Sequence, residues 1–450
     1  MSKLLVLSML AACSQAINPA SQASAPQVYV RSQPRASDTA AALRDEGPAA
    51  LARLLARWDA MPPSADRDTL ADQIDRVAAQ RYATASRMFW YTDLAAARAE
   101  ATRTGKPILS LRMLGRLDED LSCANSRYFR IALYANAELS QFLRDRFVLH
   151  WSSERPAPRI TVDFGDGRKL ARTITGNSIH YVLDAEGRPV DALPGLYAPQ
   201  VFKQELERSL VLLASLPAGP ERAARLAEAH HRRVRERLAE WNAVAAVAVP
   251  ISGRVRPAAF AQEVTVTKSG IEMPMYRVVD LGVDVGKLPD DADAWAQLGV
   301  RLMPTAAAST TPRYRGTRVQ MRSGAGGSAG ATAEIAVPLY TVDEVLDASS
   351  KALLRRVGPV EWSTGRPTRL TGPQLDGLIE RFERDILADT AVNEYSIRPD
   401  VHMQFVNHEA TFEAMNERIY RDIFHTPASD PWLGLAPEGV TALPADGVIR

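Results

Sequence analysis

Cysteine is nearly missing from this chain: only Cys13 and Cys123 occur in 450 residues. A disulfide-stapled domain is therefore excluded, and so is a zinc site of the usual cysteine-based, four-ligand kind. An excess of one charge is missing too. Lys and Arg total 54 against 53 Asp and Glu, a formal charge of +1, which leaves no electrostatic footprint for nucleic acid or an anionic surface. Beyond the N-terminus no window approaches the roughly 18 uninterrupted apolar residues that cross a bilayer. There is no repeat at a fixed period. Gly-x-Ser-x-Gly, the kinase signature set and His-Glu-x-x-His are all absent, and no glycosidase-like pair of carboxylates can be picked out. The glycine run at residues 323–330 lacks the Gly-Lys-Ser/Thr end of a phosphate-binding loop and reads as an exposed loop. What remains is 46% hydrophobic and 24% charged, the make-up of a soluble globular body of about two or three domains.

The N-terminus carries the clearest signal. Lys3 supplies a positive charge, residues 4–10 form a short apolar run, and small residues lead to Cys13. The run Leu10-Ala11-Ala12-Cys13 resembles the bacterial lipobox, in which small residues admit a peptidase and the cysteine is lipidated. A plain secretory signal needs the small residues but no cysteine there. The resemblance implies a protein of the bacterial cell envelope, anchored to the membrane by an acyl chain on Cys13, with Ser14 leaning the sorting toward the outer membrane. Residues 14–38 are rich in Ser, Ala, Gln and Pro and read as a flexible tether.

Residues 39–81 have helical periodicity, with Leu51, Leu54, Leu55 and Trp58 on one face and a break at Pro62-Pro63. Residues 82–216 alternate. A helix over 92–104 stops at Gly105-Lys106-Pro107, and a strand follows at 108–114. Residues 118–146 form a long helical stretch with a break near Asn136, followed by strands at 147–151, 179–183 and 188–193. The last two are joined by the turn Asp184-Ala185-Glu186-Gly187, and a helix over 198–216 closes the series. This order predicts one compact α/β domain. An arginine-rich helix over 221–249 reads as a connector, within residues 217–250. Residues 251–450 are expected to form a separate mixed α+β domain, β-rich over 263–340 and helical at 342–357, 375–388 and 411–424.

The segment from Gly105 to Leu196 resembles the thioredoxin-like superfamily, closest in layout to bacterial periplasmic thiol-disulfide domains. Gly105-Lys106-Pro107-Ile108-Leu109 looks like that family's entry into its first central strand. Ser122-Cys123-Ala124-Asn125-Ser126 sits where the family places its Cys-x-x-Cys at the start of a helix. Residues 136–139 and 147–149 follow at the family's spacing, and residues 179–195 resemble its terminal hairpin. The resemblance implies a central mixed sheet flanked by helices, with Cys123 and Ser126 as the catalytic pair and Asn177 and Ser178 at the cis-proline loop. A helix N-terminus favours a thiolate, the species that attacks a disulfide. Here the resolving thiol is replaced by Ser126, the tryptophan before the first cysteine by Ser122, the buried acid by Leu111 and the cis-proline by Ser178. An insertion over residues 115–121 precedes the cysteine.

Two readings follow. One is monothiol exchange or redox sensing through Cys123 on a protein client. The other is a redox-silent scaffold that binds a partner through the thioredoxin-like fold and the C-terminal half, with Cys123 a packed thiol. No cofactor or metal is implied. His402, His408 and His425 lie in one stretch near Glu409 and Glu413, but their spacing suits surface or capped histidines. His180 and Tyr181 read as packed in a strand. Residues 426–435, with Trp432, read as docking the C-terminal tail on its own domain.

Overall fold

Capping and hydrophobic spacing set the first elements. The computed structural model describes residues 38–173, 176–245, 292–304, 345–361, 368–407 and 411–430, with four short strands between residues 313 and 339. Helices α1 (Asp38–Asp45), α2 (Pro48–Ala60), α3 (Ala65–Ala78) and α4 (Ala83–Ser86) come first. Ser64 caps α3 by accepting the Arg67 N–H, directly after the Pro62-Pro63 break. Leu51, Leu54 and Leu55 of α2 pack on Leu70, Ile74 and Val77 of α3 in a small core of their own. Two buried indoles tie this layer to the rest. Trp90 Nε1 donates to Gln80 Oε1 at 2.7 Å, and Trp151 Nε1 donates to the Ala79 carbonyl at 2.9 Å.

The central sheet has four strands in the order β2-β1-β5-β6. After α5 (Leu94–Thr104), Gly105 turns the chain at φ 68°, a left-handed value that favours glycine. Strand β1 (Ile108–Leu114) follows, buried along its whole length. It runs parallel to β2 (Val148–Arg155) and antiparallel to β5 (Ser178–Leu183). Strand β5 pairs antiparallel with β6 (Pro189–Pro194) across the expected turn, where the Gly187 N–H donates to the Asp184 carbonyl. The protein is thus α/β, with a mixed sheet containing one parallel pair and many helices around it.

The helical stretch expected over 118–146 breaks near Asn136 as expected, but its first part begins only at Ala124 and is itself in two pieces. Helix α6 (Ala124–Tyr128) runs into a π-helical turn at Phe129–Leu133, and α7 (Ala137–Arg146) starts afresh. Asn136 explains the break by capping α7, its Oδ1 accepting the Leu139 N–H at 2.9 Å. A hairpin of β3 (Arg159–Asp163) and β4 (Lys169–Thr173), absent from the sequence reading, sits between β2 and β5. Its alternation is masked by charges on both faces.

Helix α8 (Pro199–Ser215) leads to α9 (Arg222–Ala245), which is no bare connector: Leu226, Ala229, His230 and Arg237 are buried. Later come α10 (Ala292–Leu302), α11 (Ala348–Val357), α12 (Gly372–Val392), α13 (Arg398–Asn407) and α14 (Phe412–Arg418). A π-helical turn (Asn393–Ile397) joins α12 to α13, and another (Ile419–Ile423) follows α14. Leu298, Phe382, Ile386, Val401, Phe412 and Tyr420 from these elements share one hydrophobic core with β1, β5 and β6. The expected boundary near residue 250 therefore separates two stretches of chain but, among the described residues, not two cores. Of the β-rich stretch only small antiparallel pairs, 313–314 with 338–339 and 317–320 with 332–335, are described. Cys13, the tether, the 323–330 loop, His408, Glu409 and Trp432 lie outside the described residues. Among the described residues no helix is long and apolar enough to cross a membrane.

Candidate functional site

Strand β1 delivers the chain to Cys123 through a loop that folds back on itself. Gly115 turns it at φ 76°, and a Cβ there would lie 3.1 Å from the Ser122 Cα. The Cys123 N–H then donates to the Leu114 carbonyl at 3.2 Å. Cys123 is the N-cap of α6, its Sγ accepting the Ser126 N–H at 3.4 Å. The Ser126 hydroxyl lies 2.8 Å from the Cys123 carbonyl oxygen and 2.5 Å from Ser122 Oγ. Cys123 and Ser126 thus meet at a helix start, and both are wholly buried.

The segment before β5 covers the sulfur. Gly176 lies so close that a Cβ on it would fall 2.0 Å from the Cys123 Cβ and 2.9 Å from its Cα. No other residue fits there without displacing α6. Ser178 Oγ accepts from Asn125 Nδ2 at 3.1 Å, so the expected loop does face the helix carrying Cys123. Asn177 turns the other way. Its Nδ2 donates to the Phe424 carbonyl at 3.4 Å and to Thr426 Oγ1 at 3.5 Å, and its carbonyl accepts from Tyr420 Oη at 3.3 Å. The C-terminal turn therefore locks the covering loop in place. Thr426, at the start of the segment read as a docked tail, is itself buried, and Arg155 holds the Asp430 carbonyl at 2.6 Å.

Two arginines border this site. Arg127 donates to the Ser122 carbonyl and to Thr173 Oγ1, both at 2.6 Å. Arg130 is buried and donates to the carbonyls of Ser126, Leu117 and Glu119 and to Ser122 Oγ. Burial pushes the Cys123 thiol up, against hydrogen bonding from Ser126 and the charges of Arg127 and Arg130. Leu111 lies in β1 opposite His180 of β5. Both His180 and Tyr181 are packed. His180 Nε2 takes the Tyr134 hydroxyl at 2.6 Å, and Tyr181 donates to Asn416. The arrangement holds a protonated thiol in a closed, fully buried place.

Among the described histidines of this stretch, His402 and His425 lie in different surroundings. His425 is exposed, and His402, expected at the surface, is buried. Its partners are His230 of α9 and Asp191 of β6, neither singled out from the sequence. The signal was there: on α9 the inward spacing Leu226, Ala229, His230, Arg233, Arg237 has helical period, but its polar members made the face look solvated. An open groove of 260 Å³ also lies between the first turns of α7 and α8, where Lys203 pairs with Glu138 at 3.0 Å and Glu207 at 3.3 Å.

Compared with known proteins, the chain matches no family model, no curated protein and no solved structure.

Proposed function

We propose that this protein is a redox-silent binding scaffold of thioredoxin-like type, tethered to the bacterial envelope through a lipid on Cys13. The closed burial of Cys123 beneath Gly176 carries the reading. Thiol exchange needs a thiolate that a client disulfide can reach in line, whereas this sulfur serves as a helix cap. In support of the fold assignment, β1, helix, β2, then the β5–β6 hairpin and α8 follow the order that the resemblance implies. The C-terminal helices close over the place where the family keeps its reactive centre, which leaves partner binding to the outer surface. The groove beside Lys203 offers paired opposite charges to a polar segment of a partner protein.

Alkylation of the full chain tests this. Cys123 should resist iodoacetamide from pH 6 to 9 until urea unfolds the protein, and fatty-acid labelling should vanish in Cys13→Ala. Full labelling of native protein near pH 7, with an apparent pKa below the ordinary value of about 8.5, would overturn the redox-silent reading and restore monothiol exchange. Fatty-acid labelling that persists in Cys13→Ala would remove the tether.

A further inference from the structure

Behind β6, three metal-type donors that the sequence keeps far apart come together. Asp191 lies on β6, His230 on α9 and His402 on α13, all buried, and one ligand atom from each lies within 4.8 Å of the others. His230 Nε2 sits 2.9 Å from the Val190 carbonyl oxygen. A carbonyl can only accept, so Nε2 carries the proton and Nδ1 presents a lone pair. That lone pair faces His402 Nδ1 at 2.8 Å, with Asp191 Oδ1 3.8 Å from the same nitrogen. Two ligands bound tetrahedrally at zinc-type distances stand about 3.3 Å apart, and the two observed separations bracket that value.

The surroundings are those of a supported ligand set. A coordinating histidine characteristically donates its second N–H to a carbonyl or carboxylate, which fixes tautomer and ring orientation; His230 does so to Val190. Asp191 is oriented through Oδ2 by Ser209 Oγ at 2.7 Å and Arg398 at 2.9 Å. Oδ1 takes the Ala192 N–H at 2.8 Å and lies 3.8 Å from His402 Nδ1. His402 Nε2 is fully buried and has no hydrogen-bond partner among the described residues, so this ring, unlike His230, is oriented by packing rather than by an acceptor. Arg398, with Arg237 and Arg233 nearby, opposes a cation here, and the buried acids Asp191, Glu205 and Glu394 offset these guanidiniums.

We propose that Asp191, His230 and His402 form a structural site for a divalent transition-metal ion of the zinc type, cross-linking β6, α9 and α13. Imidazole with carboxylate suits Zn²⁺, Co²⁺ or Ni²⁺ rather than Ca²⁺ or Mg²⁺. The ion takes the place of the proton between the two Nδ1 atoms, and that proton moves to His402 Nε2. Because all three ligands are buried, loading accompanies folding.

The test uses tag-free full chain, produced and refolded with Zn²⁺ or Co²⁺, then gel-filtered against EDTA-free buffer. Wild type should retain about one ion per chain. The Co²⁺ form should show visible d–d absorption without a thiolate band, and its Tm should exceed that of chain refolded in EDTA. His230→Ala and His402→Ala should each lower retention about tenfold or more, with Cys123→Ala unchanged. Metal-free wild type that folds with the same Tm in Zn²⁺, Co²⁺ and EDTA, and shows no Co²⁺ band, overturns the proposal without recourse to any variant.

Discussion

Arg130 and Arg398 are both buried, yet the protein treats their charges in opposite ways. Arg130 beside Cys123 is held by main-chain carbonyls and a serine hydroxyl, and burial lowers its pKa. Arg398 is held by three carboxylates: Glu205 Oε2 at 2.7 Å, Glu394 Oε1 at 2.6 Å and Asp191 Oδ2 at 2.9 Å. Burial disfavours its charge too, but the surrounding acids outweigh that and raise its pKa well above the usual value. In turn, Arg398 and its fellow arginines overcome burial to hold Glu205 down at about 2. One region is a hydroxyl-lined helix start whose guanidiniums meet neutral acceptors. The other is an ionic joint between β6, α8, α9 and α13. Polar burial in this protein therefore has two uses, and only the first resembles a reactive centre in sequence.

The largest expected effect comes from breaking the joint. Arg398→Met keeps the bulk but leaves three buried carboxylates without their shared partner, at a cost of about 3–5 kcal/mol. Arg130→Met strands only neutral acceptors and should cost about 1–3 kcal/mol. Urea unfolding of both variants measures the difference. Equal losses would show that the carboxylates around Arg398 are relieved by Arg233 and Arg237, and the contrast between the regions would collapse.

The first region was legible because its residues are neighbours in sequence. Ser122, Cys123, Ser126 and Arg130 fall within nine positions, between a strand and a helix that periodicity locates well. The β1, β5 and β6 boundaries follow from runs of buried β-branched and apolar residues ended by Gly or turn residues. The joint was illegible for the opposite reason. Glu205, His230 and Arg398 come from separate helices, and each alone looks like part of a solvated face, since buried charge is rare enough to be discounted on composition. The cover over Cys123 was hidden too. Gly176 reads as an ordinary loop glycine until the fold places it against the Cys123 Cβ. In the stretch over 118–146 the break near Asn136 was legible, whereas the late start was not, because the cap at Cys123 overrides the apolar period there.

A smaller effect separates the regions by pH. Burial drives His180, beside Tyr134, and His150, bonded to Ser110, down to about 3. Each is neutral when folded, so it contributes stability that is full above the unfolded pKa of about 6.5 and is lost as pH falls toward about 3. Asp75 runs the other way. Burial raises its carboxyl to about 6, so the folded chain takes up that proton first and gains stability as pH falls from about 6 to about 4. His180→Gln keeps an acceptor for the Tyr134 hydroxyl and removes one titrating ring. Between pH 6 and 4 it should flatten the fall in urea stability by up to about 1.4 kcal/mol per pH unit. An unchanged slope would mean that His180 is already protonated in the fold, and that burial beside Tyr134 does not exclude its charge.

The smallest expected effect discriminates most finely between the two uses of the thiol. If Cys123 serves as a helix cap, its necessary property is an acceptor atom aimed at the Ser126 N–H. Serine supplies that atom and is among the preferred N-cap residues, whereas alanine supplies none. Its hydroxyl is shorter-bonded and more polar than the thiol, which costs something in a buried site, but the same N–H and the adjacent Ser122 and Ser126 hydroxyls can satisfy it. Cys123→Ser should therefore stay within about 0.5 kcal/mol of wild type, and Cys123→Ala should lose more, about 1–2 kcal/mol, through the missing cap. Thermal melts of the three proteins side by side check the order. Non-reducing gels of cells carrying each version supply the second half of the comparison. Wild type and Cys123→Ser should give the same bands, because a cap leaves no mixed disulfide behind. Reductant-sensitive species present only in wild type would mean that the loop at Gly176 opens often enough for the sulfur to meet a client. The closed geometry would then be the resting form of a monothiol centre.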